Sequence, residues 1–294
     1  SICSPVGSIP ATSIMDATSE QMKRMEESAL SLSRNFARTP AEIAKAFYFL
    51  SSAGLDTEQS IKALKPVLEF ATAGAFGLEK ATNLAANAQS AVGLRSKDAE
   101  QNLLNLTRVT DVLIKADTLA SATAEQFALS LTHQAGATAK MFGKSVEEMT
   151  ALLAVMADTG LKGEMAGTNA SRFIRLLQKS TFSKEATQKQ FGFEVFEKST
   201  GKMKSFADIL ENLEKIMAGT SDELKSATLL QLGFDARIQQ AIFPLLGMSN
   251  TLREYTEKLN LAGSTSKSVA EKQMKAFANQ LLQMQNNATV AAIS

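Results

Sequence analysis

Apolar residues recur at intervals of three and four along most of this chain. Ile61, Leu64, Val67, Leu68 and Ala71 share one helical face, as do Leu103, Leu106, Val109 and Leu113. Val146, Met149, Leu152, Leu153 and Met156 form a third stripe, and Phe206, Ile209, Leu210, Leu213 and Ile216 a fourth. This spacing predicts amphipathic helices, each of which must bury its stripe against another. The starts are marked as well. Thr39-Pro40-Ala41-Glu42 reads as a capping box with proline at the first helical position. Thr123 with Gln126, Ser145 with Glu148 and Thr220 with Glu223 repeat the box, and Asp56 with Gln59 is a weaker version. Gly54, Gly74, Gly93, Gly143, Gly160, Gly219 and Gly247 mark helix ends. Pro66 falls inside a helical stripe and should kink or split it.

The pattern predicts an all-α fold, a multi-helix array of antiparallel helical hairpins. Helix starts fall near residues 39, 56, 77, 96, 123, 145 and 164. Short connections favour antiparallel neighbours. The spacing is too uneven for a true repeat family. One stretch departs from the helical period. In FGFEVFEKSTGKMKSF, residues 191–206, apolar and polar positions alternate around Ser199-Thr200-Gly201. That predicts a small β-hairpin over about 193–204, packed on the helices through its phenylalanines. The last stretch differs again. Ala270, Met274, Phe277, Leu281, Met284, Ala288 and Ala291 repeat at alternating spacings of four and three. They form a candidate self-association seam, which fits a coiled coil or an ordinary amphipathic helix. Four parts are expected: an extension and leading helix over 1–38, the helical-hairpin array over 39–180, hairpin and helices over 181–262, and a long helix leading into a rod over 263–294.

Composition narrows the function. The chain has 294 residues, 45% of them apolar, in the range of packed globular proteins. A formal net charge of +1 gives no basic field for wholesale nucleic-acid binding. One cysteine, Cys3, and one histidine, His133, cannot build a zinc centre, and His133 sits within a helical run without a chemical partner in view. No run reaches the roughly 18 apolar residues that suggest a membrane span. SICSPVGSIPATSIM does not read as a signal peptide, and QNNATVAAIS stops without a helix-ending signal, so both ends read as cuts in a longer chain.

The segment GLKGEMAGTNASRFIRLLQK, residues 160–179, holds Gly160, Gly163 and Gly167 within eight positions. A phosphate-binding loop would need a preceding strand and, in its Walker form, a Gly-Lys-Ser/Thr ending. Neither is present. The glycines read instead as structural corners, with Gly201 a fourth in the hairpin turn. The following helix offers Ala170, Phe173, Ile174 and Leu177 for burial, with Arg172, Arg175 and Lys179 on another face. That basic face is a solvated surface or a docking surface for an acidic partner. No nucleophile elbow or calcium loop occurs, and pairs such as Glu26-Glu27 and Glu147-Glu148 do not face one another on a helix. No catalytic, metal or cofactor site is expected.

The order of these blocks carries a resemblance. TAEQFALSLTHQAG and SVEEMTALLAVMADTG precede the glycine corner with its leucine-rich helix, GLKGEMAGTNASRFIRLLQ. KQFGFEVFEKSTGKMKSFADILENLEKI follows, and LLQLGFDARIQQAIFPLL comes last. Over roughly residues 40–290 this resembles the conserved region of phage tail tape measure proteins. The chain departs from that pattern at Ser171-Arg172-Phe173, where the family often has Leu-Arg, and at Phe191, where it usually has leucine. The resemblance implies a structural, non-enzymatic part of the virion that sets tail length inside the tail tube and leaves ahead of DNA. It implies a homo-oligomer, three copies being the expected number. The partners it implies are tail tube proteins, tail-tip or baseplate proteins and tail assembly chaperones, with membrane contact only through other parts of the chain. The location implied is the tail lumen, after assembly in the host cytoplasm. The competing expectation is a cellular α-helical repeat adaptor that binds a partner peptide in a groove.

Overall fold

A computed structural model describes residues 17–178 and 190–293, except for the side chains of residues 279, 282, 283 and 285–293. It is all-α: among the described residues no strand forms. The chain divides into two compact units.

The first unit takes in the chain up to Ala86, Arg95–Ile114 and the residues from Ser264 on. Helix α1 (Ser19–Ser33), α2 (Pro40–Ser52) and α3 (Thr57–Ala73) pack on one another. Met25, Ala29, Ile43, Phe47, Leu50, Leu64, Leu68 and Phe70 are their buried core. All three helices start at complete capping boxes: Thr18 with Gln21, Thr39 with Glu42, and Asp56 with Gln59. Each box satisfies two backbone donors that the first turn would otherwise leave open. Pro66 does not split α3, contrary to expectation. It sits on the half-exposed side while Ala63, Leu64, Val67 and Leu68 are buried around it, so packing holds the turn that lacks a hydrogen bond. Helices α4 (Leu78–Ala91) and α5 (Ala99–Asp117) follow and contribute residues to both units.

The second unit is Asn87–Leu94 with Lys115–Gly263. It contains α6 (Ala124–Ser130), one turn of π-helix (Leu131–Ala135), α7 (Gly136–Met141), α8 (Val146–Asp158) and α9 (Gly163–Leu177). Then come α10 (Phe206–Met217), α11 (Asp222–Gln231), α12 (Ala236–Ile242) and α13 (Ser249–Asn260). The centre is α8, buried from Met149 through Ala157. A helix apolar around its whole circumference must be surrounded, and α6, α7, α9 and α13 surround it. Phe173 stacks on Phe234 at 5.9 Å. The Tyr255 hydroxyl on α13 donates to the Leu119 carbonyl and to Asp158 on α8. Burial, then the Asp158 charge, push that phenol up to about 12.

Two expectations need correction. The expected array of antiparallel hairpins is not supported. The closest helix pairs include α8 with α13 and α6 with α9, and in the first unit α3 with the last helix, α14 (Thr265–Ile293). These are not chain neighbours. Each stripe packs on the face that fits it, and small residues on α9 let that helix reach α6. The β-hairpin over 193–204 is also absent as strands. One antiparallel bridge, Phe196 with Met203, is all that pairs. Its two bonds are Glu197 N–H to the Lys202 carbonyl and Lys204 N–H to the Val195 carbonyl. The Lys144 ammonium donates to the Met203 and Lys204 carbonyls and ties the second arm to the helices. Phe193 and Val195 are still buried, as the alternation predicts. A smaller correction concerns Thr220: the cap of α11 is Ser221, whose hydroxyl accepts from the Leu224 N–H.

Candidate functional site

The glycine corner joins α8 to α9. Gly160 and Gly163 have φ of +95° and +59°, in the left-handed region that glycine tolerates. Gly167 is helical and serves differently. A β-carbon there would collide with the Ser130 carbonyl oxygen. Ser130 Oγ donates to the Gly163 carbonyl at 2.6 Å, and the buried Thr138 and Ser171 hydroxyls meet at 2.6 Å. So α9 lies close beside the helix that carries the π-turn, and both run in the same direction. The inserted residue of a π-turn shifts the helix face, and here it sits between Ser130 and Thr138, both of which meet α9. Gly201, with φ of +66°, has open space around its α-carbon and shapes the turn after Thr200. His133 is exposed on the π-turn. Of the basic face, Arg172 pairs with Asp235 at 2.6 Å, Arg175 is exposed, and Lys179 lies outside the described residues.

Lys144 anchors the 193–206 segment. Its side chain is 6% exposed and pairs with Glu148 at 3.0 Å. It also donates to two backbone carbonyls and lies 4.8 Å from the centre of the Phe206 ring. Glu148 in turn accepts the Phe206 N–H at 2.8 Å. The Lys144 ammonium and Glu148 Oε1 each have several partners, the condition under which a mostly buried pair is tolerated. Nearby, Glu194 binds Lys198 and Lys204, whose ammonium groups hold its carboxyl down at about 2.

The seam on α14 meets two environments. Ala270 is buried against the first unit, and Met274 is half-buried. Phe277, Leu281 and Met284 are exposed at 44%, 44% and 67%. The side chains of Ala288 and Ala291 lie outside those described. Beside Ala270 and Met274 a cleft of about 540 Å³ opens between α1, α3 and α14. Leu32 of α1 and Phe36 in the turn after it form its apolar wall, and Lys65, Glu69, Lys267, Glu271 and Lys275 its charged rim. Burial raises the Glu69 carboxyl above the ordinary carboxylate value, although Lys65 and Lys267 pull the other way. The start of α14 is held by Asp111. This carboxylate is only 3% exposed and accepts the N–H groups of Ser264 and Ser266 at 2.7 and 2.8 Å. Further on, Gln273 donates to the Ala73 carbonyl at the end of α3.

Sequence reasoning missed Asp111, Gln273 and the cleft. A signal for Asp111 was present: a carboxylate in the apolar run VTDVLI is costly to bury without a purpose. Among the described residues no group of three or more His, Cys, Asp or Glu side chains could hold a metal ion. Among the described residues no helix is long and apolar enough to cross a membrane. The arrangement is one of helix contacts and helix anchors.

Comparison with known proteins agrees with that character. The family model described as "Phage-related minor tail protein" matches residues 26–233. The tape measure protein of Pneumococcus phage Dp-1 is 25% identical over 271 residues, which cover 92% of this chain and 23% of that protein. The chain thus spans under a quarter of that relative. No solved structure matches it. With most of its length inside the family model, from α1 through α11 to the Gly233 turn, the chain belongs to the phage-related minor tail protein family.

Proposed function

We propose that this chain is a folded segment of a tape measure protein, which sets tail length inside the tail tube and leaves the tube ahead of DNA at infection. The observation that carries the reading is the extent of the match: a tape measure protein aligns with 92% of the chain. The architecture supports it. The buried contacts are helix packing and helix capping, and the last helix is 29 residues long, about 43 Å at ~1.5 Å per residue. Two packed helical units make a poor ruler, so this segment is a folded part of the chain and the rod lies elsewhere in the parent. Several copies, three being the expected number, bundle along the tube axis through the α14 seam. Tail tube proteins, tail-tip or baseplate proteins and tail assembly chaperones are the partners. The module resides in the tail lumen after assembly in the host cytoplasm, and it needs no cofactor or catalytic residue. Quantitative mass spectrometry of purified phage particles, before and after triggered DNA release, tests this. Peptides of this segment should be present in intact tails and depleted after release. Their absence from intact tails would overturn the reading.

A further inference from the structure

Helix α14 packs on α3 through small buried side chains. Of its described side chains only Ser266 and Ala270 are buried, both small. The buried Ser266 hydroxyl has no hydrogen-bond partner, a cost of the docked position. Ser264, just before the helix, is held at φ of +63°, a region that disfavours any residue with a β-carbon. The cleft of about 540 Å³ beside Met274 is unfilled by protein. Against these stand two polar ties, Asp111 on the first turn and Gln273 on the Ala73 carbonyl.

The docked position also divides the seam. Ala270 and Met274 face α3 and the cleft, while Phe277, Leu281 and Met284 face solvent. Three partly exposed side chains offer only a few hundred Å² of apolar surface, well under the ~800 Å² per partner of a stable interface. Freed from α3, the same helix presents Ala270 and Met274 in register with the other three, a continuous heptad seam. A heptad seam is satisfied by an identical helix.

We propose that α14 is an autoinhibitory strap: docked, it masks the first two positions of its own seam, and release of the Asp111 tie frees the whole seam for a second copy of this chain. The inference rests on the self-association reading above. The test uses the 294-residue chain, with sedimentation equilibrium for association and hydrogen exchange for docking. Asp111→Ala should strip amide protection from residues 264–276 while α2 stays protected. It should tighten self-association about tenfold, the size expected when a helix cap is lost. Ala73→Cys with Gln273→Cys, in a Cys3→Ser background and bridged by a short bis-maleimide, should weaken association relative to the unbridged protein. Phe277→Ser with Leu281→Ser should abolish association in every background. A freed helix with unchanged association, and a bridge without effect, overturn the strap; the seam then stands if the serine variant still weakens association. Uniformly monomeric protein with α14 freed overturns the seam as well. Should Asp111→Ala unfold the first unit, the bridged pair decides: equal association with and without the bridge overturns the proposal.

Discussion

At Gly167 the whole side chain is missing because a backbone carbonyl occupies its place. Gly167→Ala must push α9 away from Ser130, and overpacking of this kind costs about 1–3 kcal/mol. Urea denaturation should show that loss, and an unchanged midpoint would mean the two helices are not in close contact. Lys144 stands where an ammonium is buried with four partners. Lys144→Ala leaves Glu148 without its counter-charge and should cost about 3 kcal/mol, read the same way. Glu69 is the opposite case, a carboxyl whose burial outweighs its lysine neighbours. Its folded value lies above its unfolded one, so the native state binds the extra proton between the two. Stability from this group is therefore greatest below the unfolded value and falls as pH rises through the folded one. Glu69→Gln should stabilise the protein at neutral pH, and its advantage should vanish at acid pH; an advantage that persists at acid pH would exclude ionisation as the cause. Of these three residues only the glycine was legible in the sequence. Its spacing to Gly160 and Gly163 is local, whereas Lys144 meets Met203 and Lys204 across about sixty positions.

Helices were legible for the same reason. A capping box is a four-residue device, and Thr39, Asp56 and Thr123 each start a helix where the sequence places one. The stripe beginning at Val146 becomes α8, but its central position was not legible, because its main partner α13 begins about a hundred residues later. Leu153→Ala in α8 should lower unfolding free energy by about 2–5 kcal/mol, since the surrounding helices cannot collapse onto the void. A loss below 1 kcal/mol by chemical denaturation would contradict a close-packed centre. The hairpin was misread because alternation reports burial more than pairing: Phe193 and Val195 turn inward, yet a single bridge is all the pairing that accompanies them. Pro66 does not split α3 because its local penalty is smaller than the packing of the four buried residues around it. The seam was legible as spacing only. That Ala270 would be buried under cover of α3 depends on Asp111, 153 positions before Ser264.

For the whole molecule, composition argued against a zinc centre and gave no basic field for wholesale nucleic-acid binding, and the order of blocks pointed to phage tails. The family match over residues 26–233 agrees with that resemblance. The division into two discontinuous units was not legible, because it depends on where α14 returns. The most direct test of the proposed role lies in the parent protein, of which a segment like this would be a small part. Deleting about 60 residues of helix outside this segment should shorten the tails by about 90 Å, at ~1.5 Å per residue, as measured by electron microscopy of purified particles. Shortening of that size would make the parent chain the ruler and this segment its folded module; fully formed tails of unchanged length would contradict the tape measure role.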